Sequence, residues 1–565
     1  MRKLGIWTMV VLVSAGLGCQ EVKPRDTQLN RPDIYGKPVG DLARVFQHDA
    51  VAVKGFGLVA SLPGTGSGEC PPALRTALLN YIRKQLPKTS QLNPNDLIDS
   101  KNSAVVEIYG VIPQLASKGD TFDLMVRSIP RTQTTSIRGG RLYTAEMKEL
   151  SRFISYDQFI KSLAKAEGQL LMDDFGSGPA DETKAYILGG GVVDEPVRIS
   201  LVLKETNYYT ANAIRNQLVQ RFGPKTAKAV SPAEIELGIP DAYMNRKDTF
   251  IQLIERTYLT ANEASLQERI QLLAEALRND SEKTAAELGL ESIGKPSLFA
   301  LAELLANSDE IIRFHAARCM LNIGDDRALN VLQKIIDNRQ SLLRLEAIRA
   351  VGTGARKADA SRILRQALED ETFEIKMAAY EQLARTGDMR ISRKLIGGDF
   401  FVDTVACAGP KIIYISRKDY PRITLFGGDI PCEKNVFVEI PNRRLTANAR
   451  PGDPYLSLIR IHSSFPRPIG PLQAKYDTFD IIRTACEQPD AGKKPGMRPG
   501  LGASYSDIVL LLNQMCRMGA IRAEFRLGPM TEAVKLQPSS ESRPEPTPPA
   551  PEAPGKIQPS QNQGR

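Results

Sequence analysis

The chain has 565 residues, of which 42% are hydrophobic and 25% charged, so it has enough apolar side chains for roughly three or four domain cores. Its formal net charge of +9 suits a polyanionic neighbour such as cell wall or lipid headgroups. Without a localised basic patch, that charge does not indicate a nucleic-acid partner. No apolar run reaches the ~20 residues of a permanent membrane-spanning helix, so we expect membrane attachment, if any, only at the N-terminus.

The N-terminus has the pattern of a bacterial export signal. Two basic residues precede an apolar run over residues 6–13, and small residues follow it. Cys19 then stands where a bacterial lipoprotein is cleaved and lipidated, although Gly16 and Leu17 depart from the usual lipobox. We therefore expect residues 1–19 to be a signal peptide, with two outcomes open. Either Cys19 carries a lipid that tethers the protein to the outer membrane, or the chain is cleaved nearby without lipidation.

After a polar tether at residues 20–31, the sequence predicts a mixed α/β region over residues 32–260. Its first part contains an apolar, glycine-punctuated segment, a helix and two strands, in the order 51–62, 74–84, 104–109 and 121–129. A glycine-rich run at 189–191 is expected to precede a strand.

An α/β unit closes this region. Alternating apolar residues predict a strand at 197–203, and Thr210 is the expected N-cap of a helix that ends at Gly223. A further strand is expected at 235–239.

Strand patterns then disappear, and residues 261–400 repeat about every 31 residues. The repeat is marked by small residues in one helix, by apolar residues in its partner and by glycines where the first helix would end. These residues are Ala285, Ala316, Ala347 and Ala379; Leu305, Ile336 and Leu368; and Gly294, Gly324, Gly354 and Gly387. The pattern indicates HEAT-type helix hairpins stacked into a short solenoid. The alternative is an irregular helical domain without true stacking.

Strand-like sequence returns at residues 401–530, which end in a helix and a strand, and a Pro-rich tail at 531–565 is expected to be disordered. The predicted fold class is thus α+β, with mixed α/β domains interrupted by an all-α solenoid. We expect the two outer regions to complete one sheet-bearing body, from which the solenoid projects as an arm.

The cysteines leave two states open. Export permits disulfides, and four cysteines fall in the C-terminal region: Cys407, Cys432, Cys486 and Cys516. Four cysteines allow three pairings, between which sequence cannot choose. Buried free thiols are the alternative.

Catalytic and cofactor-binding patterns are missing from the sequence. The three histidines, His48, His315 and His462, lie far apart, and the glycine-rich segment 64–68 lacks the ending of a phosphate-binding loop. The pair Asp173 and Asp174 is expected to lie in a loop rather than to act as an acid/base couple. We therefore predict no enzyme activity, no cofactor and no metal.

The outer regions resemble the bacterial flagellar P-ring protein family. The segment 55–66, Gly-Phe-Gly-Leu-Val-Ala-Ser-Leu-Pro-Gly-Thr-Gly, is similar to the signature near the mature start of that family, and segments 119–129 and 136–142 follow in the family's order. The motif residues carried over are Gly55, Gly57, Gly64, Gly66, Arg138, Gly139 and Gly140. Beyond the repeats, 411–430 and 507–527 resemble the family's later strands and closing helix, whereas 431–501 match poorly.

The resemblance implies a structural subunit of the periplasmic P ring of the flagellar basal body. Such a subunit forms a homo-oligomeric ring around the rod at the peptidoglycan layer, next to the L-ring proteins. The solenoid would then bind a further, unidentified protein. The alternative is an envelope lipoprotein that uses the same fold as a scaffold outside the flagellum.

Overall fold

The computed structural model describes most of the chain between Ile34 and Met530. The described residues are 34–47, 49–85, 93–150, 161–176, 178–196, 198–259, 262–279, 281–441, 444–461, 468–489 and 499–530. The expected signal peptide with Cys19, the tether and the Pro-rich tail lie outside these residues. In the part of the chain that they cover, no helix combines the length and apolarity that a bilayer crossing requires.

The N-terminal region contains five helices and ten strands within the described residues. The helices are α1 (Val39–Leu42), α2 (Pro72–Gln85), α3 (Pro94–Ile98), α4 (Tyr208–Phe222) and α5 (Lys247–Glu255). The strands are β1 (Ala43–Gln47), β2 (Val51–Ala60), β3 (Ala104–Ile112), β4 (Thr121–Ser128), β5 (Arg141–Glu149), β6 (Ala164–Gln169), β7 (Lys184–Val193), β8 (Ile199–Leu203), β9 (Ala227–Ala229) and β10 (Glu234–Leu237).

Six of these strands form a closed barrel in the order β2-β3-β4-β7-β6-β5. Alternation along each strand decides which side chains fill it. Val106 and Ile108 of β3 point into the barrel core, whereas Val105 points outward and packs with Leu74 and Leu78 of α2. The run Gly189–Gly191, expected before a strand, lies inside β7, where Phe122 packs close to Gly191.

The remaining strands form an antiparallel sheet, β1-β8-β10-β9, with α4 and α5 packed on one face. Helix α4 begins differently from the prediction. Asn207 is its N-cap and accepts hydrogen bonds from the backbone of Tyr209 and Thr210. Thr210, the predicted cap, lies inside the helix and is buried. Asparagine is at least as good a cap as threonine, so the helix starts one turn earlier.

Eight helices form the solenoid within the described residues. They are α6 (Glu263–Asn279), α7 (Lys283–Ile293), α8 (Leu298–Leu304), α9 (Glu310–Ile323), α10 (Leu329–Asp337), α11 (Arg344–Gly354), α12 (Lys357–Ala367) and α13 (Phe373–Thr386). Helices α7, α9, α11 and α13 stack as an inner layer, with α6, α8, α10 and α12 as the outer layer.

The alanine markers of the last three repeats lie in this stack as predicted, whereas in the first repeat Ala286 is buried instead of Ala285. Ala316, Ala347 and Ala379 are fully buried between neighbouring inner helices, where a larger side chain would separate the layers. Gly324 and Gly387 end α9 and α13 in the left-handed conformation, which glycine adopts without steric cost. The predicted fold class, α+β with a helical-repeat block, is confirmed.

The C-terminal region begins before residue 400. Its elements are β11 (Ile391–Ile396), β12 (Phe400–Val405), β13 (Ile412–Ile415), β14 (Arg422–Phe426), β15 (Val436–Glu439), β16 (Leu445–Ala449), β17 (Leu456–Arg460), β18 (Ile469–Ala474), α14 (Thr478–Cys486), α15 (Tyr505–Arg517) and β19 (Glu524–Leu527). One sheet has the order β11-β12-β14-β13-β19, and a second has the order β15-β16-β17-β18. The closing strand β19 therefore returns to pair with β13, although about a hundred residues separate them.

The two outer regions do not share a sheet, contrary to expectation. Among the described residues, every sheet is built from strands of one region alone. The physical reason is barrel closure, because a closed barrel has no free edge for another strand to join. The regions contact each other through side chains and loops instead. Leu171 and Leu188 enter the C-terminal core, and the Asp123 carboxylate accepts hydrogen bonds from the backbone amides of Gly189 and Asp419.

The solenoid is attached at both ends rather than projecting freely. At its start, Arg221 of α4 donates to the backbone oxygens of Glu291 and Ser292, and Arg246 forms an ion pair with the Glu291 carboxylate at 3.0 Å. At its end, the Tyr380 hydroxyl of α13 donates to the fully buried Asp403 carboxylate at 2.6 Å. Its hydrophobic core continues into the C-terminal sheet.

Candidate functional site

A cleft of about 530 Å³ lies where the barrel meets the C-terminal region. Its lining comes from loops at one end of the barrel and from β17, α15 and the segment before β16. The lining residues are Ser61, Pro63, Thr65, Ser136, Arg138, Gly139, Glu182, Arg444, Arg460, Ile461 and Asp507. The cleft therefore combines two motif segments of the N-terminal region with polar residues that lie about 300 positions later in the chain.

Two motif loops form the barrel wall of the cleft. The Thr65 hydroxyl donates to the Ser136 carbonyl at 2.7 Å, and the Thr135 amide donates to the Thr65 carbonyl at 2.9 Å. Gly66 lies so close to residue 103 that a Cβ on it would overlap the Ser103 carbonyl oxygen. A glycine is therefore required here for close backbone approach. The hydrogen bonds of Thr65 thus hold the first motif segment against the second, and the Gly66 contact holds it against the residue before β3.

Arg138 is the central charge of this wall. Its guanidinium donates to Asp174 at 2.5 and 2.8 Å and to Glu182 at 2.8 and 3.0 Å. Burial opposes ionisation of Glu182, but its hydrogen bonds with Arg138 and Ser136 outweigh burial and hold the pKa of Glu182 below its usual value. The fork of a guanidinium suits two carboxylates at once. Arg138 thus joins the loop before β5 to Asp174 and Glu182 and fixes the geometry of the loop.

The C-terminal wall carries a second group of charges. Arg444 lies 3.0 Å from the Asp507 carboxylate, and Asp507 also forms a capping box with Ser504 at the start of α15. Arg460 donates to the carbonyl oxygens of Leu501 and Gly502. Burial lowers the pKa of Arg460, against the attraction of Asp507. The positive charge of Arg444 also helps to lower the pKa of Glu182 on the opposite wall. The two walls therefore attract each other.

The other predicted motif residues serve the barrel itself. Gly55 and Gly57 lie in β2, at the irregular part of its pairing with β5. Gly140 lies against Val59 and Leu62. Gly64 and Gly139 have positive φ angles in the two loops. The structure thus brings Thr65, Gly66, Arg138 and Gly139 together at the cleft but places Gly55, Gly57 and Gly140 in the barrel wall.

The four C-terminal cysteines are free thiols in the structure. Of the two states that the sequence left open, the disulfide is not the one found. Cys486 is buried, and Cys407 lies near the end of the solenoid against Lys376. Burial raises the pKa of the Cys432 thiol to about 12 and that of Cys516 to about 11, so neither thiol is activated as a nucleophile.

Sequence reasoning missed the residues that complete the cleft. Asp174 was assigned to a loop, and its role as the partner of Arg138 carries no local sequence signal. Arg444 and Arg460 lie in the stretch where the family resemblance is weak. Asp507 did have a signal, because Ser504 three residues earlier forms the sequence pattern of a capping box.

Within the described ranges, no group of three or more His, Cys, Asp and Glu residues is placed to hold a metal ion. His315, in α9, forms a 2.6 Å contact with the buried Glu287 carboxylate of α7, so it lies in a packing contact between repeats. His48 and His462 lie outside the described residues. The groups of the cleft pair with one another, an arrangement suited to joining protein segments.

Likeness to known proteins lies in the region that forms the barrel wall. Residues 38–270 match the flagellar P-ring protein family. We refer to them as the P-ring region, which includes the barrel and the sheet β1-β8-β10-β9. Residues 266–352 match HEAT repeats. Both predicted resemblances are therefore confirmed over these ranges, whereas the resemblance of residues 405–530 stays a prediction.

Curated relatives support the same assignment of the P-ring region. A flagellar P-ring protein of Leptospira interrogans serogroup Icterohaemorrhagiae serovar copenhageni is 26% identical over 238 residues, covering 38% of this chain and 60% of the relative. The corresponding protein of Hydrogenovibrio crunogenus is 27% identical, covering 40% and 62%. That of Aquifex aeolicus is 28% identical, covering 37% and 58%. The chain thus spans about three fifths of the length of these relatives.

Proposed function

We propose that this protein is a structural subunit of the periplasmic P ring of a bacterial flagellar basal body. Identical subunits assemble into a ring around the rod at the peptidoglycan layer, next to the L-ring proteins. The solenoid adds an arm that binds a further protein. In this proposal the protein performs no catalysis and needs no cofactor.

The observation that carries the proposal is the match of the P-ring region, residues 38–270, to the flagellar P-ring protein family. The motif loops of that region line a cleft that is completed by Arg444, Arg460 and Asp507. A closed ring needs the same two complementary surfaces on every copy. In this proposal the cleft and its rim form one of these two surfaces. Ion pairs hold both walls of the cleft in place, Arg138–Asp174 in one wall and Arg444–Asp507 in the other.

A second candidate is an envelope lipoprotein that uses the P-ring fold as a scaffold outside the flagellum. Two observations favour this candidate. Cys19 follows an apolar segment and small residues, and the chain covers only about three fifths of the P-ring proteins that it matches. In this case the solenoid would recruit an envelope partner without ring formation.

Deletion of the gene distinguishes the two candidates. A ring subunit predicts loss of swimming and purified basal bodies without the periplasmic ring in electron micrographs, and a plasmid copy should restore both. A strain that expresses only an Arg138→Gln copy serves as a stability control. Because this variant should be less stable, its cellular level should fall, and the number of rings should fall by the same factor. Intact rings and normal swimming in the deletion strain would overturn the ring proposal and favour the scaffold.

A further inference from the structure

The solenoid exposes two apolar side chains one repeat apart. Ile311, in the first turn of α9, is 46% exposed, and Leu342, in the turn before α11, is 93% exposed. Because α9 and α11 are neighbours in the inner layer, their axes lie about 8–10 Å apart, and a hydrogen bond between Ser341 and Glu310 joins the loop of Leu342 to the start of α9. A leucine so exposed gains nothing for folding. Its place beside Ile311 forms an apolar ridge on the surface.

Contacts between adjacent repeats hold this ridge in place. The Ser341 hydroxyl, next to Leu342, donates to the Glu310 carboxylate at 2.6 Å, and Glu310 precedes Ile311. Ion pairs join the following repeat to this one. Arg344 pairs with Asp370, and Arg339 pairs with Glu371 at 3.4 Å. The loops that bear the ridge therefore form one continuous edge, residues 307–311, 337–342 and 369–374, which we call the acidic edge.

The acidic edge has a charge opposite to that of the whole chain. Its three segments contain seven acidic residues and one basic residue, Arg339, on a chain of net charge +9. Three further arginines, Arg313, Arg344 and Arg390, contact the edge from outside these segments, so seven negative charges face four positive ones. The acidic residues are Asp309, Glu310, Asp337, Glu369, Asp370, Glu371 and Glu374. In the described part of the chain, arginines form ion pairs with Glu369, Asp370 and Glu371, while Arg313 is bound to the carbonyl oxygens of Asn307 and Ser308.

The remaining four carboxylates have polar but uncharged partners or face solvent. Asp309 caps α9, Glu310 is bound by Ser341, and Asp337 accepts from Gln366 at 3.2 Å. Glu374 is exposed. None of these four carboxylates forms an ion pair within the described residues, so the edge keeps a net negative charge beside the apolar ridge even with Arg313 bound to its first segment. A partner that covers the ridge must bring positive charge with it.

We propose that the acidic edge binds a basic amphipathic helix of a partner protein. Two apolar residues seven positions apart on such a helix lie about 10 Å apart, which matches the repeat spacing of Ile311 and Leu342. Lysine or arginine residues beside them would meet Asp309, Asp337 and Glu374. This inference deepens the proposed function, since it assigns to the solenoid arm one surface and one class of partner.

The test uses the full chain and two synthetic helical peptides that share leucines at positions i and i+7. One carries lysines on the flanking positions and its twin carries glutamates. Fluorescence anisotropy should show binding of the lysine peptide, weakened by added salt because exposed charges are screened. Leu342→Ser should reduce the affinity roughly tenfold. Phe299→Ser is the matched control, because Phe299 is 75% exposed but lies on α8 in the outer layer.

Several results would overturn this assignment. Equal binding of the glutamate peptide, wild-type affinity in Leu342→Ser, or an equal loss in Phe299→Ser would each do so. Concentration-dependent self-association that Leu342→Ser abolishes, measured by sedimentation, would make a second copy the occupant instead. All these assays use purified protein, so they can fail while ring images still support the proposed function. Conversely, intact rings in the deletion strain would overturn the ring proposal and leave a positive result of the peptide assay unaffected.

Discussion

Arg138 shows how a motif residue can act within its own chain. The resemblance to P-ring proteins suggested an assembly role for the Arg138-Gly139-Gly140 segment. In the structure, the Arg138 side chain is only 11% exposed and is bound by Asp174 and Glu182. Its first effect is therefore to hold the loop that lines the cleft, and any effect on assembly follows from loop position.

Replacement of Arg138 by glutamine should destabilise the protein by about 3–5 kcal/mol, because it leaves a buried carboxylate without its counter-charge. The Asp174 side chain is 10% exposed and cannot recover that loss by hydration. Urea unfolding followed by circular dichroism measures the change. Arg339→Gln is the control, since Arg339 and its partner Glu371 are 71% and 83% exposed. Equal stability of Arg138→Gln and Arg339→Gln would contradict the argument.

At the scale of elements, α7 carries two buried carboxylates with opposite responses to their surroundings. Burial opposes ionisation of Glu287, but hydrogen bonds with Arg318 and His315 outweigh it and hold the pKa of Glu287 below its usual value. Burial raises the pKa of Glu291, against the pull of Arg246. Helix α7 thus contacts α9 through the ionised Glu287 carboxylate. One turn later it contacts Arg246 of the P-ring region through Glu291, whose ionisation burial opposes.

The pH dependence of stability should separate these two residues. A lowered folded-state pKa means that Glu287 stabilises the fold fully above its unfolded pKa of about 4.3 and loses that contribution as pH falls through the folded value. The wild type should therefore lose more unfolding free energy than Glu287→Gln when the pH falls from 5 to about 3. Thermal unfolding over this range, monitored by circular dichroism, is the measurement.

Glu291→Gln provides the opposite sign as an internal control. A raised folded-state pKa means that the contribution of Glu291 is complete below about pH 4.3 and is lost as pH rises through the folded value. Relative to Glu291→Gln, the wild type should gain stability as the pH falls from neutral towards that limit. If the free energy of unfolding changed with pH in the same way in both variants, the two carboxylates would not have the opposite pKa shifts described here.

At the scale of the whole molecule, the solenoid joins two bodies that have no sheet in common. Its first inner helix is held by Arg221 of α4 and by Arg246, the residue before α5, and its last packs on the C-terminal sheet. Val405, Ile412 and Phe426 of that sheet belong to the solenoid core. The solenoid is therefore a structural part of the protein that carries an exposed edge, rather than an independent arm on a complete fold.

Excision of residues 262–388, with a flexible linker in their place, should leave a protein that does not fold properly. It exposes Phe426 and Ile412, at roughly 1.5–3 kcal/mol for each side chain, and removes the Tyr380 hydrogen bond from the buried Asp403 carboxylate. Soluble yield and limited proteolysis measure the outcome. Tyr380→Phe, which keeps the packing, should cost about 1.5–3 kcal/mol, because the lost hydrogen bond goes to a carboxylate. A soluble, protease-resistant excision product would show instead that the solenoid is independent of the sheet.

Local patterns predicted much of this fold. Helical period and terminal glycines identified the solenoid because both are properties of neighbouring residues, and Gly324 and Gly387 end their helices where expected. Strand alternation placed β3 and β4 within a few residues of their observed limits. The motif segments around Gly66 and Arg138 were likewise found from sequence, and they do meet in space.

The sequence by itself determined the order of the regions, the repeat and the likeness to P-ring proteins, since each depends on residues close together in the chain. Only the tertiary structure decided which distant groups meet. It closed the barrel, so the outer regions pack through Asp123 and Asp419 rather than through a shared sheet. It also set Arg138 beside Asp174 and brought Asp507 to the same cleft. Such contacts depend on how whole elements pack, and a pairing across hundreds of residues leaves no periodic trace in the sequence.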